Sequence, residues 1–183
     1  MYYKLKPLRD YSEHDVIPFF SLVEPNAPLG LLVTITGSGF VNGQAHGISH
    51  NLNANQPNVF TPRWEVKAKV TACPAGQMPL GFTLYEVKEN GGFYNKPLMY
   101  DSAARWDGQY VISGEGVPIC RKGLFLVNIP GTGAAAPKPG MVTVAGPTGE
   151  WAAAADGTAN AFGKILGAPD ADGYTLVAVD FNK

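Results

Sequence analysis

Apolar and polar positions alternate along this chain in short runs, and turn residues interrupt nearly every run. From Trp64 to Ala72 the alternation is regular, with Trp64, Val66, Ala68 and Val70 on one side and Glu65, Lys67, Lys69 and Thr71 on the other. A period of two is that of a half-buried antiparallel strand. The same period runs through Gly81 to Val87 and through Tyr174 to Phe181, where Thr175, Val177, Val179 and Phe181 oppose Tyr174, Leu176, Ala178 and Asp180. Leu29 to Ile35 is a strand of another kind, close to continuously apolar at Leu31, Leu32, Val33 and Ile35. Further strands are predicted at 110–112, 117–120, 123–129, 141–144, 151–154 and 162–166.

The gaps carry turn chemistry: Gly37-Ser38-Gly39, Asn90-Gly91-Gly92, Arg121-Lys122-Gly123, Asp156-Gly157 and Asp170-Ala171-Asp172-Gly173. Asn and Gly reach positive φ cheaply, so they mark tight reversals. Short strands with turns at this spacing predict an all-β fold, a small β-barrel or sandwich of antiparallel strands. The alanines at 152–155 are too few to nucleate a helix before the Asp-Gly turn.

Residues 1–28 read as an extended N-terminal arm, because Pro7, Pro18, Pro25 and Pro28 fix φ and remove backbone donors. Residues 29–183 then form the barrel or sandwich, with 42–62, polar and rich in Asn and Gly, as an inserted loop. The arm is punctuated by Tyr2, Tyr3, Leu5, Leu8, Tyr11, Phe19 and Phe20, more anchors than a disordered tail carries. These residues, with Trp106 in its polar setting, are the candidate interface. Two outcomes stand open: the arm wraps its own domain, or it lies across a neighbour.

With 183 residues the chain holds enough apolar material for one core without disulfides or a metal. Only 16% of residues are charged, below the usual ~25% for soluble domains, as expected of a surface partly covered by other protein or of a neutral one rich in Gly, Pro and Asn. The net charge of −1, from 14 basic and 15 acidic side chains, argues against nucleic-acid binding, and the best basic set, Arg63, Lys67 and Lys69, is interrupted by Glu65. No apolar run approaches the ~20 residues of a bilayer span, and the start lacks an apolar signal core, so neither a membrane nor a secretory signal is expected. Cys73 and Cys120 sit beside apolar strand sequence and read as buried free thiols rather than a bridge.

The motifs that could carry chemistry are weak. Gly37-Ser38-Gly39 and Gly131-Thr132-Gly133 lack the remaining positions of a phosphate loop. His46 and His50 have helical metal-pair spacing in sequence that opposes a helix, and His14 is remote. Ser12-Glu13-His14-Asp15 juxtaposes catalytic residue types, but adjacency alone does not build a nucleophile and base. No catalytic residue, metal or cofactor is expected. Trp64, Trp106 and Trp151 are the aromatic platforms that a carbohydrate-binding module would use, and buried packing is their ordinary role.

The final third narrows the reading. Pro139-Gly140-Met141-Val142-Thr143-Val144, Gly149-Glu150-Trp151-Ala152-Ala153, Phe162-Gly163-Lys164-Ile165-Leu166 and Asp172 to Val179 resemble the closing strands of tailed-phage head decoration proteins, also called capsid cement proteins. Arg121 to Val127 is similar to the strand that leads in, so the resemblance spans 110–183. It implies a small barrel that binds the outer surface of an icosahedral capsid and stabilises contacts between major capsid subunits. The partner it implies is the major capsid protein, the assembly a homo-oligomer, commonly a trimer, and the location the virion surface after synthesis in the host cytoplasm. A carbohydrate-binding β-module is the alternative, and an enzyme without a visible motif a more distant one.

Overall fold

The computed structural model describes residues 5–8, 12–36, 48–51, 64–66, 68–91, 96–97, 110–129 and 136–182. In chain order its strands are β1 Leu5–Pro7, β2 Val16–Leu22, β3 Leu32–Ile35, β4 Ile48–Asn51, β5 Trp64–Val66, β6 Lys69–Ala72, β7 Gly81–Thr83, β8 Glu86–Lys88 and β9 Asn90–Gly91. They continue with β10 Lys96–Pro97, β11 Tyr110–Ile112, β12 Val117–Cys120, β13 Lys122–Asn128, β14 Val142–Ala145, β15 Trp151–Ala154, β16 Gly163–Ile165 and β17 Tyr174–Asp180. Among the described residues helical geometry is confined to one 3-10 turn, Glu13–Asp15. The fold is all-β.

Five strands close a barrel in the order β12, β2, β6, β3, β7, and six form a sheet in the order β1, β13, β17, β16, β14, β15. Pairing is antiparallel throughout the six-stranded sheet, while β2 with β6 and β8 with β11 run parallel. The sheet packs on the outside of the barrel, and that packing explains the continuous apolar run around β3. Leu31 and Val33 join Val70, Val117 and Ile119 inside the barrel. Leu32 turns the other way, to Phe82, Cys73 and Cys120 of the barrel wall and Phe125, Ile165 and Val177 of the sheet. The start of β3, buried on both faces, has no polar side to show, while at its far end Ile35 is 47% exposed.

An aromatic cluster fills the space between the layers. Phe82 lies 4.9 Å from Phe125 and 5.4 Å from Trp151, ring centroid to centroid, and Phe162 stacks on Phe181 at 4.7 Å. Edge and offset pairs of this kind add about 1 kcal/mol each beyond the area they bury. The β14–β15 hairpin is fastened to the barrel at its tip. The Trp151 indole N–H donates to the Gly30 carbonyl at 2.7 Å, and the Leu32 amide donates to the Gly149 carbonyl at 2.9 Å. Gly149 has φ +77°, and a Cβ there would stand 2.7 Å from the Leu32 oxygen and 2.8 Å from Leu31 Cδ1. Only glycine permits this approach.

Several elements differ from the sequence expectation. The described parts of the expected arm are strands of the chain's own fold: β1 pairs with β13, and β2 is a barrel stave between β12 and β6. No boundary therefore falls at residue 28 between an arm and a barrel. Pro18 does not prevent β2 because the β2–β12 register shifts beside it, between Val117 and Ile119, and β6 pairs only with Ser21 and Leu22. Within the expected 42–62 loop, β4 pairs with β5, and the rest of that loop lies outside the described residues. The alternating run 64–72 is two strands, β5 with β4 and β6 in the barrel, and the run 81–87 breaks at Leu84 and Tyr85.

Candidate interaction surfaces

The outward face of the six-stranded sheet follows from its register. Phe125, Val127, Val177, Val179 and Ile165 point to the interlayer core, so their strand neighbours Leu124, Leu126, Leu176, Ala178 and Lys164 point away from it. One row across this face runs Lys6, Leu126, Leu176, and the Leu166 amide, donating to the Leu176 carbonyl at 2.8 Å, extends it to Leu166. The next row runs Leu124, Ala178, Lys164, Val142, Ala154, with Val142 buried, and the Leu8 amide, donating to the Leu124 carbonyl at 3.0 Å, extends it to Leu8. Leu8 and Leu166 are 51% and 49% exposed, and Leu124, Leu126 and Leu176 are half-buried. One-sided antiparallel sheets normally show polar side chains to water. This one shows leucine.

Charge on this face is largely paired, that of Lys164 on the interior strand β16 included. Lys122 meets Asp180 at 3.5 Å, Lys164 meets Asp156 at 2.8 Å, and the Lys6 ammonium lies 4.2 Å over the Tyr174 ring. The Asn182 amide, first, and then Lys122 hold the Asp180 carboxyl below its ordinary range, which keeps it anionic and makes it a poor proton donor. An open groove of about 780 Å³ crosses this face, walled by Ser12, Asp15, Asp156 and Lys122 over Ala178 and Val142.

A second exposed feature stands on the barrel. Phe20 and Leu22 turn into its core, while Phe19 and Val23 are 63% and 54% exposed. Of the eight residues expected at an interface, Leu8 and Phe19 are exposed, whereas Leu5 and Phe20 are core residues at 7% exposure each. Leu5 is buried because β1 is covered as a sheet strand, and Phe20 because it faces the barrel interior. Tyr2, Tyr3, Tyr11 and Trp106 lie outside the described residues. The structure does not unite Leu8 and Phe19, which stand on different sheets. The apolar sheet face was missed because half of its leucines sit in segments read only for their strand period, with no register to align them.

The remaining sequence candidates acquire structural roles. Trp151 is 1% exposed and hydrogen-bonded, so it is no stacking platform for a saccharide. The Ser12 hydroxyl accepts from the His14 amide at 3.3 Å and caps the 3-10 turn. His50 lies in strand β4, and His46 lies outside the described residues. Cys73 and Cys120 are free and buried, and burial raises both thiols, that of Cys120 to about 11. The chain matches no family model, and no curated protein or solved structure is similar to it.

Proposed function

We propose that the protein is a virion structural protein of the decoration type, which binds the outer surface of an icosahedral capsid and stabilises contacts between major capsid subunits. The observation that carries this reading is Phe19, an aromatic side chain 63% exposed on a strand held by β12 and β6. An exposed aromatic on a rigid strand has little conformational freedom left to lose on binding, and such residues dominate protein interfaces. The five segments that resemble decoration proteins coincide with β13 to β17 of the six-stranded sheet, whereas the closed barrel, which the resemblance implied for them, is built from β2, β3, β6, β7 and β12. Many copies on a symmetric shell turn a modest contact into firm attachment through avidity. Val23, 54% exposed just after the same strand, extends the contact.

The test is co-sedimentation of the purified chain with preformed tailed-phage capsids. Wild type is expected to pellet with the shells, and Phe19→Ser to weaken that binding by about 30-fold, a hot-spot loss of roughly 2 kcal/mol. Retention on immobilised glycans without shell binding would overturn the assignment in favour of a carbohydrate-binding module. Equal shell binding by the variant would remove Phe19 from the contact.

A further inference from the structure

We infer that the Asp156–Gly157 step is a modification site, at which the folded protein converts aspartate to isoaspartate through a cyclic imide. The site is independent of the Phe19 flank and of shell binding. This chemistry needs an aspartyl carboxyl beside a peptide nitrogen that nothing else holds. Two aspartate–glycine steps lie among the described residues, Asp156–Gly157 after β15 and Asp172–Gly173 before β17. The two carry the same reactive groups, and their surroundings differ.

At Asp172–Gly173 the peptide nitrogen is occupied. The Gly173 amide donates to the Asp170 carbonyl at 3.0 Å. The Asp170 carboxylate accepts from the Asp172 amide at 3.0 Å and from the Tyr174 amide at 2.8 Å. Three bonds thus fix the backbone on both sides of that step. The turn at Asp156–Gly157 is closed outside the step instead, because the Thr158 amide and hydroxyl both donate to the Ala155 carbonyl, at 3.2 and 2.7 Å. No hydrogen bond among the described residues uses the Gly157 amide. The Asp156 side chain is 69% exposed, and a Cβ built on Gly157 would meet nothing within 4 Å. Nothing crowds a five-membered ring closing over this peptide.

The Gly157 nitrogen attacks the side-chain carboxyl carbon of Asp156. A C–N bond forms as the carboxyl C–O bond breaks, and the nitrogen's proton leaves with the hydroxyl as water. Water then adds to the main-chain carbonyl of the imide and breaks its bond to nitrogen, so the chain runs on through the former side chain. One water is lost and one gained, with no other reactant. Lys164 restrains the first step. Its ammonium lies 2.8 Å from Asp156 Oδ2 and favours the carboxylate over the neutral acid, whose hydroxyl is the leaving group. In the product the free carboxylate stands directly on Cα, one methylene short of its former reach toward Lys164. Isomerisation therefore removes the partner of the one lysine inside the outward row of leucine, alanine and valine.

The test is prolonged incubation of the purified native chain at neutral pH and body temperature. The chain is then denatured and cut with an endoproteinase that cleaves before aspartate and not before isoaspartate, and the fragments are weighed. Cleavage before Asp156 is expected to disappear progressively, at unchanged total mass, while cleavage before Asp172 persists. In a parallel incubation in urea, both cleavages are expected to disappear. Lys164→Gln is expected to speed the loss at Asp156 by about threefold, the measure of an exposed ion pair. Persisting cleavage before Asp172 shows that the variant has kept its fold. Native cleavage retained before Asp156, equal native loss at both steps, an Asp172 step inert in urea, or a Lys164→Gln chain no faster than wild type would each overturn the proposal. Phe19→Ser leaves these rates unchanged, so failure here and failure of shell binding are told apart.

Discussion

At the scale of single residues, Gly149 and Gly157 form a natural comparison. Both hold positive φ, at +77° and +89°, but a Cβ at Gly149 runs into Leu32 and Leu31, whereas one at Gly157 meets nothing. Gly157→Ala is therefore expected to cost only the strain of a left-handed backbone, roughly 1 kcal/mol. Gly149→Ala adds an overpacking penalty at the tightest approach of sheet and barrel, for a total of about 3 kcal/mol or more, measurable by urea denaturation. Cys120 supplies a pH dependence. Burial, the largest cause, with the Asp15 carboxylate adding to it, raises its thiol from 9.0 to about 11. The folded state thus holds this proton more tightly than the unfolded chain. Its contribution to stability is complete below pH 9 and is lost as pH rises toward 11. The urea midpoint is expected to fall across that window in wild type and to fall less steeply in Cys120→Ala.

At the scale of elements, β2 decides what the first residues are for. Deleting residues 1–28 removes a stave of the closed barrel, exposes Val117, Ile119 and Val70 on its inner wall, and strips β1 from the sheet edge. The truncated chain is expected to lose cooperative unfolding and its native β-sheet circular-dichroism spectrum. A folded truncation would instead restore the view of a dispensable arm. The sequence made β14 to β17 legible because Gly, Pro, Asp or Asn stand between them and each has apolar positions to anchor it, whereas Lys122 and Gly123, expected in a turn, pair within β13 with Asp180 and Val179. It hid β2 behind Pro18, since the register shift that tolerates a proline is set by the partner strand and leaves no mark nearby. It likewise hid the division of 64–72, where the alternation continues from β5 to β6 although the two strands join different sheets. The exposed Phe19 was legible as an anchor, but its separation from Phe20 depends on which side faces a barrel, and that is a property of closure.

At the scale of the whole molecule, two exposed apolar features, Phe19 with Val23 and the leucines of the six-stranded sheet, stand on different sheets. The sheet order has a further consequence, for the time course of biosynthesis. All five barrel strands are drawn from residues 16–120, so the barrel can close while the rest of the polypeptide is still on the ribosome. β17, however, sits in the interior of the sheet between β13 and β16, although it is translated after every other described strand. Until it threads into place, Phe82, Leu32 and Cys73 on the barrel's outer wall stay wet, and the nascent protein passes through an interval in which its stickiest surface has no cover.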